Sequence, residues 1–159
     1  MVLYIFLEMG IIEDRGAFTC SSSSNYGEGY TCDKIYDGAG GGIDSSGVMW
    51  YTARGEAEDS WVNIEFNGVI RLSQLELQNV VSGWFEDIRL TFSNGETQLA
   101  TLVEGNSAWT SITISPAVDT TSVLITSLTY YLPENLPSWV YGILEIRFYG
   151  KNFVHLPDK

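Results

Sequence analysis

Apolar and polar residues alternate with a period of two in five stretches of the chain after residue 48. The stretches are WVNIEF at 61–66, QLELQ at 74–78, FEDIRLTF at 85–92, ITI at 112–114 and GILEIRFYG at 142–150. Such alternation places apolar side chains on one face of a half-buried strand. Because no apolar 3.6-residue period persists for three turns, the pattern predicts strands rather than helices.

Residues that favour tight turns separate these stretches. They are Asn67-Gly68, Ser93-Asn94-Gly95, Glu104-Gly105-Asn106 and the segment from Pro133 to Pro137. Gly, Asn and Pro supply the backbone angles that such turns require. Many short strands at this spacing predict an all-β fold, an antiparallel β-sandwich of the jelly-roll type.

Length and composition fit one globular domain. The chain has 159 residues, of which 45% are hydrophobic and 18% charged, and this mixture argues against disorder. The net charge is −12, from 20 acidic and 8 basic residues, so nucleic acid is excluded as a partner. The same acidity disfavours an anionic membrane surface unless Ca²⁺ bridges the charges.

The N-terminal third contains the least regular sequence. We interpret residues 1–16 as an N-terminal extension or a first strand, because MVLYIFL is apolar but has no basic region before it. A remnant of a secretory signal is the alternative. Residues 20–47 contain a Ser run and GAGGG, which indicate surface loops. GAGGG is not followed by Lys-Ser/Thr, so it does not predict a phosphate-binding loop.

The order of several landmarks resembles that of a known family. They are the Ser-rich start at 17–23, KIYDG at 34–38, Trp50, WVNIEF at 61–66, FEDIRLTFSNGE at 85–96 and GILEIRFYG at 142–150. This order is similar to the discoidin, or coagulation factor V/VIII (F5/8) type C, family over residues 17–150, which leaves 151–159 as a tail. The resemblance implies a galactose-binding-domain-like jelly roll in an extracellular, secreted protein. The segment from Gly38 to Trp50 is longer than is usual in the family.

The resemblance also implies a disulfide and a cation site. Cys20 and Cys32 would form a short disulfide loop, although many relatives instead join the two ends of the domain. In many relatives the Asp of the DG turn and the Glu of the last strand hold a structural Ca²⁺; here these are Asp37 and Glu145, and Asp44 could add an oxygen. The alternative is that Asp37 caps a turn and Glu145 is an exposed strand residue.

Aromatic and charged residues near predicted loops are the candidates for ligand contact. Trp84 and Trp139 could stack on a sugar ring or plug the ends of the sandwich. Arg54 could bind sugar hydroxyls or pair with neighbouring acidic residues, and Asp44 could also contact a ligand. We assign Trp50 and Trp61 to the structure, leave Trp109 open, and favour packing for the pairs Tyr26/Tyr30 and Tyr130/Tyr131.

No catalytic arrangement is visible in the sequence, because the one histidine, His155, lies in the tail. We therefore expect a binding module rather than an enzyme. The resemblance implies a lectin-like adhesion module for glycans or glycoproteins, and such a module would gain avidity as a homo-oligomer. A protein-interaction or cell-adhesion domain is the alternative. Phospholipid binding ranks below it, and glycoside hydrolysis by paired carboxylates ranks last.

Overall fold

A computed structural model describes residues 10–12, 18–36, 49–80, 83–103, 108–131 and 141–152 of the chain. The strands in these segments are β1 (Gly10–Ile11), β2 (Thr19–Ser22), β3 (Trp50–Tyr51), β4 (Trp61–Asn79), β5 (Trp84–Phe85), β6 (Asp87–Phe92), β7 (Thr97–Thr101), β8 (Trp109–Ser127), β9 (Tyr130–Tyr131) and β10 (Gly142–Asn152). One 3-10 helix spans Cys32–Tyr36. The all-β prediction is confirmed. Over the described segments, no helix is long and apolar enough to cross a membrane.

The two longest strands, β4 and β8, form one bent ribbon. Each has 19 residues, and they pair antiparallel from end to end. Their register shifts between Glu65 and Ile70, where Gly68 has a φ of 111°. Glycine adopts such an angle at little steric cost, so the backbone can turn a corner there. The predicted turn at Asn67-Gly68 is therefore a bend inside one continuous strand, not a break between two strands.

This bend folds the main sheet into two facing layers. The first layer contains, in order, β2, residues 61–65 of β4, residues 122–126 of β8, β6 and β7. The second layer contains β1, β10, residues 70–79 of β4 and residues 109–120 of β8, with β3 also paired to β10. β5 and β9 form a separate two-stranded sheet. All these pairs are antiparallel, as the sequence pattern predicts.

Alternating apolar side chains fill the space between the layers. Val62 and Ile64 of the first layer and Leu75 and Leu77 of the second are fully buried. Burying one such side chain contributes about 1.5–3 kcal/mol to folding. Across the layers, the rings of Phe66 and Phe148 meet edge to face at 5.0 Å, and Phe18 contacts both, at 5.2 Å and 5.8 Å. The alternation that predicts the strands therefore also supplies the core.

A disulfide between Cys20 and Cys32 ties β2 to the 3-10 helix, with the two Cα atoms 6.0 Å apart. Since the two residues are 12 positions apart in sequence, the bond closes a short loop. In the chain-entropy account, closing a loop of this size stabilises a fold by about 3 kcal/mol. The disulfide thus fixes the segment that leads from the first layer towards the aromatic residues at 26 and 30.

Candidate functional site

The irregular segments of the fold gather at one end of the sandwich, which we call the loop end. It comprises residues 23–30, 51–60, 79–80, 83–86, 102–103, 127–131 and 141–143. Hydrogen bonds tie these segments to one another: Thr52 N to Tyr141 O at 2.8 Å, Ser127 N to Ser60 O at 2.9 Å, and Asn79 Nδ2 to Val103 O at 3.0 Å. The loop end is therefore a connected surface and not a set of separate loops.

Arg54 lies exposed on the loop end and is held by an aromatic partner. Its Nη2 donates to the Tyr26 hydroxyl at 3.0 Å, and the guanidinium carbon lies 5.5 Å from the centre of the Tyr26 ring. The alternative of pairing with neighbouring acids is not observed, because among the described residues Arg54 forms no ion pair with Glu56, Glu58 or Asp59. Since one Tyr26 contact uses few of its five N–H groups, Arg54 retains donors for a ligand.

Tyr26 belongs to a row of three aromatic rings. Its ring meets that of Tyr30 at 5.5 Å, and Tyr30 meets Tyr51 at 5.3 Å. The backbone N–H of Tyr26 also donates to the Tyr51 carbonyl at 3.0 Å. Tyr51 is buried, whereas 41% of Tyr26 is exposed. The row therefore anchors the exposed phenol of Tyr26 to the core. The packing interpretation fits Tyr30, whereas Tyr26 is also accessible from solvent.

Trp84 forms a second aromatic pair at the loop end. Trp84 lies in β5 rather than in a loop, and its partner in β9 is Tyr131. The two rings are stacked with their centres 4.5 Å apart and their planes 28° apart. Trp84 is only 7% exposed, but Tyr131 is 41% exposed. Trp84 therefore supports the Tyr131 ring from beneath, and Tyr131 is the part of the pair that a ligand can contact.

An open cavity of about 520 Å³ lies beside this stacked pair. Its lining consists of Trp84, Glu86, Asp87, Thr101, Leu102 and Tyr131. The Asp87 carboxylate accepts hydrogen bonds from the Thr101 hydroxyl at 2.7 Å and from the Thr129 hydroxyl at 3.1 Å, so its orientation is fixed. The lining therefore combines an aromatic pair with two carboxylates and a hydroxyl, and none of the described residues that form it is basic.

Asn79 positions the strand that carries Trp84. Its side-chain amide donates to the Phe85 carbonyl at 3.1 Å and to the Val103 carbonyl at 3.0 Å. Asn79 is 1% exposed and ends the row of inward-facing residues that begins with Leu75 and Leu77. The sequence analysis overlooked this residue. The available signal was a polar side chain at an inward position of an alternating strand, which needs buried hydrogen-bond partners.

The remaining tryptophans are divided between core and surface. Trp50 is buried and donates its indole N–H to the Ser24 carbonyl at 2.9 Å, which fits its structural assignment. Trp61 and Trp109 are half-buried, and the guanidinium carbon of Arg147 lies 4.0 Å from the centre of the Trp109 ring. Trp139 lies outside the described residues.

The proposed cation site is only partly described. Asp37 and Asp44 lie outside the described residues. Glu145 is 1% exposed in β10, so it is not the exposed strand residue of the alternative interpretation. In the described segments, no three Asp, Glu, His or Cys residues are grouped as metal ligands would be. The Ca²⁺ site therefore stays a prediction, with one buried carboxylate in a suitable place.

Two of the tyrosines with a raised pKa are Tyr141 at the loop end and Tyr149 in β10 of the second layer. Burial raises the pKa of Tyr141 above its usual value of 10.0, and the neighbouring Tyr130 adds to the effect. Burial also raises the pKa of Tyr149, which donates a hydrogen bond of 2.6 Å to Glu76. These phenols therefore stay neutral and remain hydrogen-bond donors at any physiological pH.

The two facing layers and the loop end define a galactose-binding-like β-sandwich. Within that class, the chain belongs to the F5/8 type C domain family, whose sequence profile matches residues 17–140. The resemblance to the discoidin family is thereby confirmed. No curated protein matches the chain in sequence.

Solved structures with the same fold include three informative relatives. The family 32 carbohydrate-binding module of Clostridium perfringens NanJ, in complex with galactose, has a TM-score of 0.69 at 17% identity; the match covers 89% of this chain and 99% of that one. Discoidin II from Dictyostelium discoideum has a TM-score of 0.69 at 12% identity, covering 94% and 61%. Chitosan-binding module 1 of a Paenibacillus chitosanase/glucanase has a TM-score of 0.61 at 18% identity, covering 84% and 96%. At these identities the likeness establishes the fold alone.

Proposed function

We propose that the chain is a non-catalytic carbohydrate-binding module that takes glycans, free or on glycoproteins, at its loop end. The observation that carries this proposal is the open cavity beside the Trp84–Tyr131 stack. Sugar rings present apolar C–H faces that pack on aromatic side chains, while carboxylates and hydroxyls bind the sugar hydroxyl groups. The cavity supplies all three kinds of group.

Several relatives of the same fold support this choice of ligand. The structures with this fold include a family 32 module bound to galactose, another bound to GalNAc-β-1,3-galactose, and a chitosan-binding module. The domain family is also one of binding modules, so no reaction is proposed for this chain. Its ligand is argued from the cavity, because these proteins share at most 18% of their residues with this chain.

The charge of the cavity narrows the class of sugar. Glu86 and Asp87 line it without a basic residue, and the whole chain carries a net charge of −12. A sugar acid would place its carboxylate beside two others, which costs Coulomb energy. Neutral sugars and amino sugars are therefore favoured over sialic and uronic acids.

Isothermal titration of the intact chain with galactose, N-acetylgalactosamine, glucosamine and glucuronic acid tests the proposal. Tyr131→Ala removes the accessible ring of the stack, and we expect affinity for the preferred sugar to fall by about tenfold, since ring stacking contributes about 1.5 kcal/mol at most. The matched control is Tyr130→Ala, because Tyr130 is the adjacent residue of β9, is equally exposed, and packs on Tyr141 instead. Equal losses in both variants, or no binding by the wild type, would contradict the proposal.

Ca²⁺ bound by Asp37 and Glu145, with an oxygen from Asp44, is the cofactor we propose. The support is that Glu145, the glutamate of the last strand, is a buried carboxylate, and carboxylate oxygens are the ligands that Ca²⁺ prefers. Thermal melts with Ca²⁺ and with chelator test this. A higher midpoint in Ca²⁺ that disappears in Asp37→Asn is the expected result. Identical midpoints with Ca²⁺ and with chelator would reject the cation.

An extracellular location completes the proposal. The disulfide between Cys20 and Cys32 supports it, because such bonds persist mainly in oxidising compartments. A single module gains avidity on a glycan-coated surface only through several copies, so we also propose homo-oligomerisation. Fractionation of the source cells and sedimentation of the purified chain would examine both points.

A polypeptide partner is the second candidate function. It is favoured by the exposed Arg54–Tyr26 pair, since Arg and Tyr are enriched in the centres of protein interfaces. If this pair serves sugar binding, Arg54→Ala lowers sugar affinity in the titration above. If Arg54→Ala leaves sugar affinity unchanged, the pair belongs to a protein interface or to the fold.

A further inference from the structure

The outer face of the first layer carries a second open groove, away from the loop-end cavity. Its volume is about 400 Å³, and its walls come from four neighbouring strands, β2, β4, β8 and β6. The wall residues that matter here are Ser21, Trp61, Asn63, Thr91, Ser122 and Leu124. Alternation explains why they face outwards, because the residues between them, such as Val62 and Ile64, fill the core.

Strand register arranges these side chains in a row across the layer. Ser21 lies opposite Asn63, Asn63 opposite Leu124, and Leu124 opposite Thr91. Residues directly opposite each other in paired strands share one face. Three inter-strand spacings of ~4.8 Å give a row about 14 Å long. That length suits several sugar units in a chain rather than one ring.

Trp61 is the aromatic residue of this groove, and its ring is available. A useful comparison is Trp109, which is also half-buried on an outer face but lies under the guanidinium of Arg147. Among the described residues, Trp61 has neither a ring partner nor an acceptor for its indole N–H. A half-exposed indole with an unused donor is suited to a ligand that offers both an apolar face and hydroxyls.

The groove is also uncharged in a strongly acidic protein. The described residues that line it are neutral, although the chain has 20 acidic residues, and Arg89 lies exposed on the same face beyond Thr126. The nearest acid on this face is Glu65, which accepts a hydrogen bond of 3.3 Å from Asn63 Nδ2. Because the Asn63 amide has two N–H groups and a carbonyl oxygen, this one bond leaves it able to bind hydroxyls. Neutral polar groups around an aromatic ring match a neutral glycan better than a charged peptide or lipid.

We infer that this groove is a second glycan site, which binds a neutral, extended oligosaccharide chain across the outer face of the first layer. It shares no lining residue with the loop-end cavity and does not depend on the function proposed there. A module with both sites would bind a chain along its length on one surface and a single sugar or chain end on another.

Titration of the intact chain with cellohexaose, mannohexaose and xylohexaose tests the inference. We expect at least one hexasaccharide to bind and to change tryptophan fluorescence, and Trp61→Ala to weaken that binding by about tenfold. Tyr131→Ala should leave it unchanged, since that residue belongs to the loop end. Failure of all three hexasaccharides to bind, or equal binding by Trp61→Ala, would overturn the inference.

A second pair of variants covers the case in which Trp61→Ala does not fold. Ser21→Glu adds a charge to the groove, and Ser111→Glu adds the same charge at an exposed position of β8 in the second layer. We expect only Ser21→Glu to weaken hexasaccharide binding. Sedimentation of the wild type and of both variants tests whether a second copy of the protein occupies the groove instead. If the wild type dimerises and Ser21→Glu does not, the groove binds a second copy and the inference is wrong.

Discussion

The two ends of the sandwich are made by the same long strands but are closed in different ways. At the opposite end, β6 and β7 are joined by a tight turn at 93–96, and β4 bends at Gly68 between the two stretches that pair with β8. Within this turn the Phe92 N–H donates to the Glu96 carbonyl at 2.9 Å, and the Ser93 N–H donates to the Thr120 hydroxyl of β8 at 3.0 Å. At the loop end, side chains such as Asn79 and Asp87 satisfy backbone and hydroxyl groups from several segments.

This difference shows where a sandwich can acquire function without losing its fold. A tight turn has little surface to offer and is constrained by its own backbone angles. Longer segments held together by side chains can present aromatic rings and carboxylates to solvent, because the layers beneath already supply the stability. The exposed phenols of Tyr26 and Tyr131 lie at the loop end. The comparison therefore predicts different outcomes for the same change made at each end.

The largest effect is expected from adding a methyl group to the glycines near the two ends of β10. At Gly142 the added carbon would overlap the Trp50 carbonyl oxygen, and at Gly150 it would overlap the Arg71 carbonyl oxygen. Overlap with backbone atoms, which cannot move aside as a flexible side chain can, costs about 3 kcal/mol or more, so both alanine variants should unfold at lower urea concentration. Only Gly142→Ala should also weaken sugar binding, because Gly142 pairs with β3 at the loop end. If a folded Gly142→Ala variant binds sugar as tightly as the wild type, the loop end does not differ from the opposite end in the way we propose.

Reduction of the disulfide should have the next largest effect. Replacing both Cys20 and Cys32 with Ser should lower the free energy of unfolding by about 3 kcal/mol, measured by urea denaturation. Since the bond holds the segment before Tyr26, we expect the variant to lose affinity for a ligand that uses Arg54 and Tyr26. A variant with unchanged stability would show that the loop is already fixed by its other contacts.

A smaller and more selective effect is expected at Asn79. Asn79→Ala leaves the buried Phe85 carbonyl and the part-buried Val103 carbonyl without this donor, which costs about 1–3 kcal/mol, and it loosens β5 so that sugar affinity also falls. The control at the opposite end is Gly95→Ala, which forces alanine to a φ of 88° at a cost of about 1–2 kcal/mol. The two variants should have similar stability, but only Asn79→Ala should bind sugar less tightly. Equal affinity would exclude Asn79 as a positioning residue.

The smallest effect is expected from alkaline pH. Burial raises the pKa of Tyr141 at the loop end and of Tyr149 in the second layer above 10.0, so the folded state favours the neutral phenols. Their contribution to stability is complete below pH 10.0 and is lost as the pH rises through the folded-state pKa. Thermal midpoints should therefore fall as the pH is raised above 10.0. Tyr141→Phe should flatten the fall, and an unchanged profile in that variant would contradict the assignment.

The fold was predictable because one physical rule applies along most of the chain. Residues such as Ile88, Leu90 and Ile146 alternate with polar neighbours, and alternation fixes which side of a strand is buried. The continuity of β4 could not be predicted, because Asn67-Gly68 is equally compatible with a turn and with a corner. Only the pairing of β4 with β8 on both sides of Gly68 decides between them.

The candidate site was predictable only in part. Trp84 and Arg54 stood out by residue type, but their partners Tyr131 and Tyr26 are 47 and 28 positions away in sequence. Such contacts depend on how the layers close and leave no local signal. Trp61 was assigned to the structure because it opens an alternating strand. The alternation with Val62 and Ile64 indicates that Trp61 faces outwards, but the groove around it is formed by β2, β6 and β8, which the local sequence does not specify.

The most direct test of glycan binding at the loop end is nuclear magnetic resonance of the tryptophan indole N–H groups during titration with galactose, N-acetylgalactosamine and glucosamine. The five tryptophans serve as reporters on different parts of one molecule. We expect the Trp84 signal to shift with at least one of these sugars, while the signal of Trp109 under Arg147 stays in place. If no sugar moves the Trp84 signal, or if Trp109 responds in its place, the loop-end cavity is not the glycan site.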